Sequence, residues 1–402
     1  MRFSEFSDIN PKIKLSKGKE YPCIEMENIL AGNRYVKACK EKVFSGGGSK
    51  FETGDILFAR ITPCLENGKI AQYKGNDHVD GFGSTEFFVF RAKKGISDSG
   101  FLFYLAYSDI LRTPAEGSMF GATGRQRAAL DVVKSTIVPD ISLDNQRKIS
   151  STLSAYDDLL ENNSQRIHML EEIAQRIYRE WFVDFRFPGY EKARFVKSEL
   201  GKIPEGWQVS SLGESCFIIM GQSPKSEFYN ENKNGLPFHQ GVTDFGKIFP
   251  KVRIYCTVQN RIAEAGDILF SVRAPVGRIN LCNDRIVIGR GLSAIRSKSG
   301  NQVFILLQLK DRFKEEDSIG GGTIFKSVTK DDMHSIKIVL PPSPMVLSFE
   351  KITNPIVGEL KNLTIQNLNL KTTRDILLPK LIAGEVDMSK LNTLIPGQSN
   401  VA

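Results

Sequence analysis

The sequence predicts a mixed α/β (α+β) chain built by tandem duplication, two similar globular domains each followed by a long helix. Three observations carry this expectation. Gly54-Asp55-Ile56-Leu57-Phe58 returns as Gly266-Asp267-Ile268-Leu269-Phe270. A Gly/Thr-rich stretch follows each copy, Gly121-Ala122-Thr123-Gly124-Arg125 and then Gly320-Gly321-Gly322-Thr323. Two heptad-patterned segments then recur at nearly the same interval, far beyond the roughly 20–50 residues of solenoid repeats.

In chain order, residues 1–142 form the first domain. Ile56-Leu57-Phe58-Ala59 and Phe87-Phe88-Val89-Phe90 read as strands, and 101–111 as a helix. Ser135-Thr136-Ile137-Val138-Pro139 reads as an apolar strand stopped by proline. Residues 143–185 are the first spacer helix. Its seam of Ile149, Leu153, Tyr156, Leu160, Asn163, Ile167, Leu170, Ala174, Ile177 and Trp181 alternates steps of four and three, a coiled-coil pattern with one polar insertion. Phe187-Pro188-Gly189 ends it. Residues 186–342 hold a linker with Gly201, Pro204 and Gly206, then the second domain, closed by Ile336-Lys337-Ile338-Val339-Leu340-Pro341. Residues 343–384 are the second spacer helix, with Ile356, Leu363, Leu370 and Leu377 seven apart and Leu360 and Asn367 between them. Each helix has one apolar stripe to bury, and the repeat makes an antiparallel pair the simplest solution. Asn163 and Asn367 either set the register inside that seam or sit at its edge facing water. The composition of 385–402 predicts a disordered tail.

No run of some 18 apolar residues is present, and Met1-Arg2-Phe3-Ser4-Glu5 lacks the apolar core of a secretory signal, so a cytoplasmic protein with no membrane partner is expected. Cys23, Cys39, Cys64, Cys216, Cys256 and Cys282 form no CxxC pair, and four histidines lie scattered; reduced thiols and no metal site follow. The net charge of +8 is uneven. Residues 1–142 carry +3, 143–185 carry −3, 186–342 carry +7 and 343–402 carry +1. Positive charge concentrated on the repeated domains suits a phosphate backbone.

Catalytic signatures are missing. Asn10-Pro11-Lys12 and Asn354-Pro355-Ile356 do not form the (D/N)-P-P-(Y/F) loop of an amino-methyltransferase, and no Walker loop occurs. Gly46-Gly47-Gly48-Ser49-Lys50 reads as a hairpin tip, and Glu66-Asn67-Gly68-Lys69 has the wrong spacing for a nuclease E-x-K.

The order of domain, helix, domain, helix is joined by distinctive local wording. Trp181-Phe182-Val183-Asp184-Phe185-Arg186-Phe187-Pro188-Gly189 closes the first helix, and Glu199-Leu200-Gly201-Lys202-Ile203-Pro204-Glu205-Gly206-Trp207 opens the second domain. With these residues the whole chain resembles the specificity subunit of a type I restriction–modification system. One departure is that the first repeat opens on Met1-Arg2-Phe3-Ser4-Glu5-Phe6, without the Ile-Pro-x-Gly-Trp of the second. The resemblance implies two target-recognition domains separated by an antiparallel coiled coil, each reading one half of a split double-stranded DNA sequence. It implies a chain without catalysis or cofactors of its own. Two modification subunits would methylate adenine N6 from S-adenosylmethionine, and restriction/translocase subunits would use ATP and Mg.

Candidate DNA-binding residues follow from side-chain chemistry, since arginine reads guanine and Asn or Gln reads adenine. Just beyond the shared motif stand Arg60, Thr62, Asn67 and Lys69 in the first repeat, and Arg273 and Arg278 in the second. The loop 121–127 adds Arg125, Gln126 and Arg127, whereas 320–326 keeps Gly and Thr but has no Arg-Gln-Arg. The stretch 247–296, with Lys251, Arg253 and Arg290 among its cations, holds seven arginines and two lysines against three acids. Arginine's planar fork favours a DNA face there. Each of these cations reads a base, touches phosphate or faces solvent. Trp181 and Tyr178 read as packing residues. Two rival readings stand beside the resemblance: a scaffold or adaptor whose coiled coil is its working surface, and a nuclease with an unrecognised site.

Overall fold

A computed structural model describes residues 1–75, 80–122, 124–313 and 327–386. Thr123, the loop 320–326 and most of the tail lie outside them. The chain divides into two compact units, Met1–Asn163 with the segment from Asn367, and Ser164–Gln366. Each long helix therefore contributes to both units.

In the first unit the strands are β1 (Ser7–Ile9), β2 (Glu20–Ile24), β3 (Tyr35–Val36), β4 (Lys40–Val43), β5 (Ser49–Phe51), β6 (Ile56–Ala59), β7 (Ile70–Tyr73), β8 (Gly81–Gly83) and β9 (Phe87–Ala92). They form two sheets, ordered β1-β9-β6-β7-β3 and β4-β2-β8-β5. The helices are α1 (Phe3–Phe6), α2 (Ser99–Tyr107), α3 (Asp109–Gly117), α4 (Leu130–Ser135) and the long α5 (Leu143–Phe182). Strand β6 shows why Ile-Leu-Phe-Ala is apolar without alternation. Ile56 and Phe58 face α2 and the long helices, while Leu57 faces the second sheet. A strand covered on both faces has no solvent side.

The second unit repeats this frame. It contains β10 (Phe195–Ser198), β11 (Gly201–Pro204), β12 (Gln208–Ser211), α6 (Leu212–Ser215), β13 (Cys216–Met220), β14 (Tyr229–Asn230), β15 (Leu236–His239), β16 (Ile254–Cys256) and β17 (Ile262–Ala263). There follow β18 (Ile268–Ser271), β19 (Ile279–Leu281), β20 (Ile286–Ile288), β21 (Leu292–Ser297), α7 (Gln302–Arg312), α8 (Lys330–Ser335), β22 (Lys337–Leu340) and the long α9 (Ser343–Ile382). Its main sheets are β13-β21-β18-β19 and β14-β16-β15-β20-β17, beside the two-stranded β10-β11 and β12-β22. In both units the sheet without the motif strand (β6 or β18) contains one parallel pair, β2 with β8 and β15 with β20.

The departure at the first repeat's opening resolves at this level. Phe3 N–H donates to Thr136 O at 2.8 Å, as Leu212 N–H donates to Ile336 O at 2.7 Å. Met1–Phe6 thus takes the structural place of the residues around α6. Two expectations change. The helix expected over 101–111 is divided at Ser108, whose extended backbone (ψ 161°) ends α2 and begins α3 and whose hydroxyl donates to Leu105 O at 2.7 Å. The strand expected over 135–139 contracts to one bridge, Ile137 with Arg2, because α4 runs through Ser135; the second repeat has the full pair β12–β22.

The long helices pack antiparallel within each unit. In the first, Ile149 and Leu153 cluster with Leu378, Leu381 and Ile382, and further along α5 Asp157 pairs with Arg374. In the second, Arg166 pairs with Glu359 at 2.8 Å, and further along Phe182 meets Phe349 with ring centroids 4.9 Å apart. Of the expected seam, Ile149, Leu153, Asn163, Ile167 and Ala174 are buried, while Tyr156, Leu160, Leu170, Ile177 and Trp181 are half-buried. Asp157, Tyr178 and Phe182 are buried instead. The helix supports a globular domain as well as its partner helix, so its covered face is wider than a two-helix seam. Asn163 lies inside the seam and Asn367 is half-buried.

Candidate nucleic-acid interface

The shared motif builds one frame twice. Asp55 and Asp267 are buried, and each accepts from the backbone N–H three residues before it, Glu52 at 2.9 Å and Glu264 at 2.8 Å. Each also accepts two N–H bonds from an arginine on the neighbouring strand. Arg91 reaches Asp55 at 2.8 and 2.7 Å, and Arg296 reaches Asp267 at 2.6 and 2.8 Å. The aspartate closes the Gly-Asp turn and ties it to the next strand. Arg296, one of the cations of the stretch 247–296, is thereby committed to the fold.

Beyond the motif, backbone bonds fix the equivalence of the two units. Arg60 N–H donates to Glu86 O, and Val272 N–H to Gly291 O, both at 3.0 Å. Ala128 N–H donates to Arg60 O, and Val328 N–H to Val272 O, both at 2.8 Å. Ile61 bridges Arg127 as Arg273 bridges Ser327. The next peptide bonds, Thr62-Pro63 and Ala274-Pro275, are both cis. Arg273 therefore stands where the first unit has Ile61, not where it has Arg60.

In the first unit this frame gathers four expected residues. Thr62 and Gln126 pair through Thr62 N–H to Gln126 O and Gln126 N–H to Thr62 Oγ1, both 3.0 Å. Arg60 and Arg127 converge on Glu86, which sequence reasoning missed. Arg127 donates through Nε at 2.9 Å and Nη2 at 2.6 Å, and Arg60 through Nε at 3.3 Å with its guanidinium 5.4 Å over the Phe88 ring. The Arg127 guanidinium holds the Glu86 carboxyl below its ordinary range, so it is ionised at neutral pH. Arg125 and Asn67 are exposed on adjoining turns, and Lys69 turns its ammonium onto Met26 O at 2.8 Å.

The second unit distributes its cations differently. Arg253 is held by Asp244, and Arg285 by Glu264 at 3.4 Å. Arg290 rests on Ser223 Oγ at 3.1 Å through its backbone N–H. Arg278 is half-buried, its N–H on Ser271 Oγ at 2.8 Å. Lys251 and Arg273 are exposed and make no ion pair with a described residue. The first unit has its own exposed group, Lys12, Lys14, Lys17 and Lys19, likewise unpaired among the described residues. Their signal was the absence of any acid from Ile9 to Lys19. The signal for Glu86 was its place before Phe87, where the aligned repeat has Gly291.

A duplicated two-sheet domain with cations on its motif-side loops, each copy borne on paired helices, defines a class of repeated recognition protein. No described helix is long and apolar enough to cross a membrane. A model of the type I restriction modification DNA specificity domain matches residues 6–172 and again 204–374. The chain belongs to this family, that of the type I restriction enzyme specificity subunits. It is 34% identical over 298 residues to the putative type I restriction enzyme MjaX specificity subunit of Methanocaldococcus jannaschii, covering 72% of this chain and 68% of that one. The MjaIX specificity subunit of the same organism is 29% identical over 320 residues, 73% and 70% of the two chains. The solved S subunit of the type I restriction–modification system from M. genitalium shares the fold, with a TM-score of 0.55 at 18% identity over 95% of each chain.

Proposed function

We propose that this chain recognises a split, asymmetric DNA sequence, one half per repeated domain, with the paired helices setting the unread gap. The observation that carries the proposal is one backbone frame with two different sets of tips. Arg60, Glu86 and Arg127 in the first unit are replaced by Val272, Gly291 and Ser327 in the second, and Ile61 by Arg273. Two readers of different half-sites need a common scaffold and unlike side chains at the groove. The exposed cations supply phosphate contacts that hold register, while arginines near the motif reach base edges. Under this reading the chain does no chemistry and works in the cytoplasm. Two modification subunits bring S-adenosylmethionine and methylate adenine, and restriction/translocase subunits bring the ATP- and Mg-dependent steps.

Exchange of residues 1–142 for the matching domain of another specificity subunit tests this directly. Methylome sequencing of the host should show one half of the methylated sequence changed and the other intact. If both halves change together, the division of labour fails. DNA affinity of the assembled complex should also fall with salt on a log–log slope of magnitude about 5 or more. A flat response would favour a non-DNA scaffold.

A further inference from the structure

We infer that Arg127, Glu86 and Arg60 form a guanine-reading constellation that sets one base position of the first domain's half-site, Glu86 acting as the positioning residue. The inference rests on the DNA-reading function proposed above and adds a named site and a base.

Glu86 takes Arg127 by its Nε–Nη2 edge. Of the five N–H donors of a guanidinium this leaves the outer Nη1–Nη2 edge, whose two parallel donors match guanine O6 and N7. Among the described residues Nη1 of Arg127 makes no hydrogen bond. The side chain is 45% exposed, so that edge is open to a ligand. Arg60 holds the other side of the same carboxylate and is propped on Phe88. Two guanidiniums this close repel without a carboxylate between them, and arginines with free rotamers give up entropy on binding a base. Glu86 removes both penalties and leaves the group a net positive charge.

Position in the repeat is the independent observation. The three residues sit on backbone atoms that bond identically in the second unit, where they are Val272, Gly291 and Ser327. A constellation needed for folding would be expected in both copies, as Asp55–Arg91 and Asp267–Arg296 are. This one exists in the first copy alone, which is where a half-site determinant must differ.

The test uses the full chain co-expressed with its modification subunit, with methylome sequencing as readout and the first half-site assigned by the domain exchange above. In Arg127→Ala, one G·C pair of that half should become degenerate, with discrimination down roughly 5-fold to 150-fold. The second half should not change. Glu86→Gln keeps shape and removes charge, and should relax the same position with Arg127 still present. An Arg127→Lys variant keeps charge without the fork; it should behave like Arg127→Ala, and it alters only an exposed side chain should Glu86→Gln not fold. A half-site without any G·C pair overturns the inference. So does an unchanged motif in the variants, or a uniform loss at all positions, which would make Arg127 a phosphate contact. In these three outcomes the wild-type protein still yields a bipartite motif and only the constellation is lost. A wild-type complex that methylates no bipartite sequence overturns the proposed function as well.

Discussion

At the scale of single residues, the shared motif separates groups that hold the fold from groups available to a ligand. Asp55 is buried on a strand turn and Arg91, 23% exposed, is its charge partner. Arg91→Ala should cost about 3 kcal/mol, because it leaves the buried Asp55 carboxyl without its main counter-charge. Arg296→Ala should cost less, since that guanidinium is 45% exposed and solvent screens the pair. Denaturant melts of the two variants check the order; equal losses would remove burial as the cause. Cysteine reactivity divides in the same way. Burial pushes the Cys216 and Cys282 thiols up to about 12, whereas Cys39 is exposed. Iodoacetamide at about pH 8 should alkylate Cys39 within minutes and spare those two until the chain unfolds, because only the thiolate reacts. Mass spectrometry of the folded protein reads this out, and rapid labelling of Cys216 or Cys282 would contradict their burial.

At the scale of elements, a buried polar chain fastens the first recognition domain to its helices. Gln72 accepts from Arg34 Nε at 3.0 Å, Arg34 Nη1 donates to Tyr104 OH at 3.2 Å, and Tyr104 OH donates to Asp157 Oδ2 at 2.5 Å. Asp157 also receives Arg374 from α9, which donates to Gly32 O at 3.1 Å. One carboxylate on α5 thus joins a sheet, a domain helix and the opposing spacer helix. Asp157→Ala removes the buried partner of Arg374 and leaves it only the exposed Asp375 as counter-charge, and should destabilise the first unit by about 3 kcal/mol. Hydrogen exchange should then accelerate across α2 and the Asn367–Ile382 segment; unchanged protection there would show that apolar packing alone fixes the domain. The second unit does the same work largely with rings, Phe182 meeting Phe304 and Phe349 at 4.9 Å each. This difference marks what the sequence could tell. Strand β6, both long helices and the repeat were legible because apolar periodicity and repeated wording are local signals. Asp157 and Arg374 were not, since a buried ion pair between residues 217 apart looks like two ordinary surface charges until the fold joins them. Glu86 was hidden for the same reason. The division of the expected helix at Ser108 turned on one side-chain bond that competes with the backbone.

At the scale of the whole molecule, the proposed function makes the helices a ruler, and their heptads allow that to be tested. Each helix is 40 residues long, about 60 Å at 1.5 Å per residue. That is enough to serve two half-sites about one duplex turn, some 34 Å, apart. Inserting seven residues between Asn163 and Ile167 preserves which face is apolar, whereas inserting four keeps the stripe only approximately, as a stutter. Asn163 is buried, so the insertion must leave it in the seam. Four residues add about 6 Å of helix against roughly 3.4 Å per base pair. The unread gap should widen by one or two base pairs while both half-site sequences stay as they were, and methylome sequencing reads gap and halves together. Lengthening α5 alone leaves α9 short, so part of the excess can loop out locally and reduce the shift. The matched insertion beside Asn367 removes that mismatch and should give the full shift. A protein that carries the matched insertion, folds, and methylates with its original gap would show that half-site spacing is set elsewhere than in the paired helices.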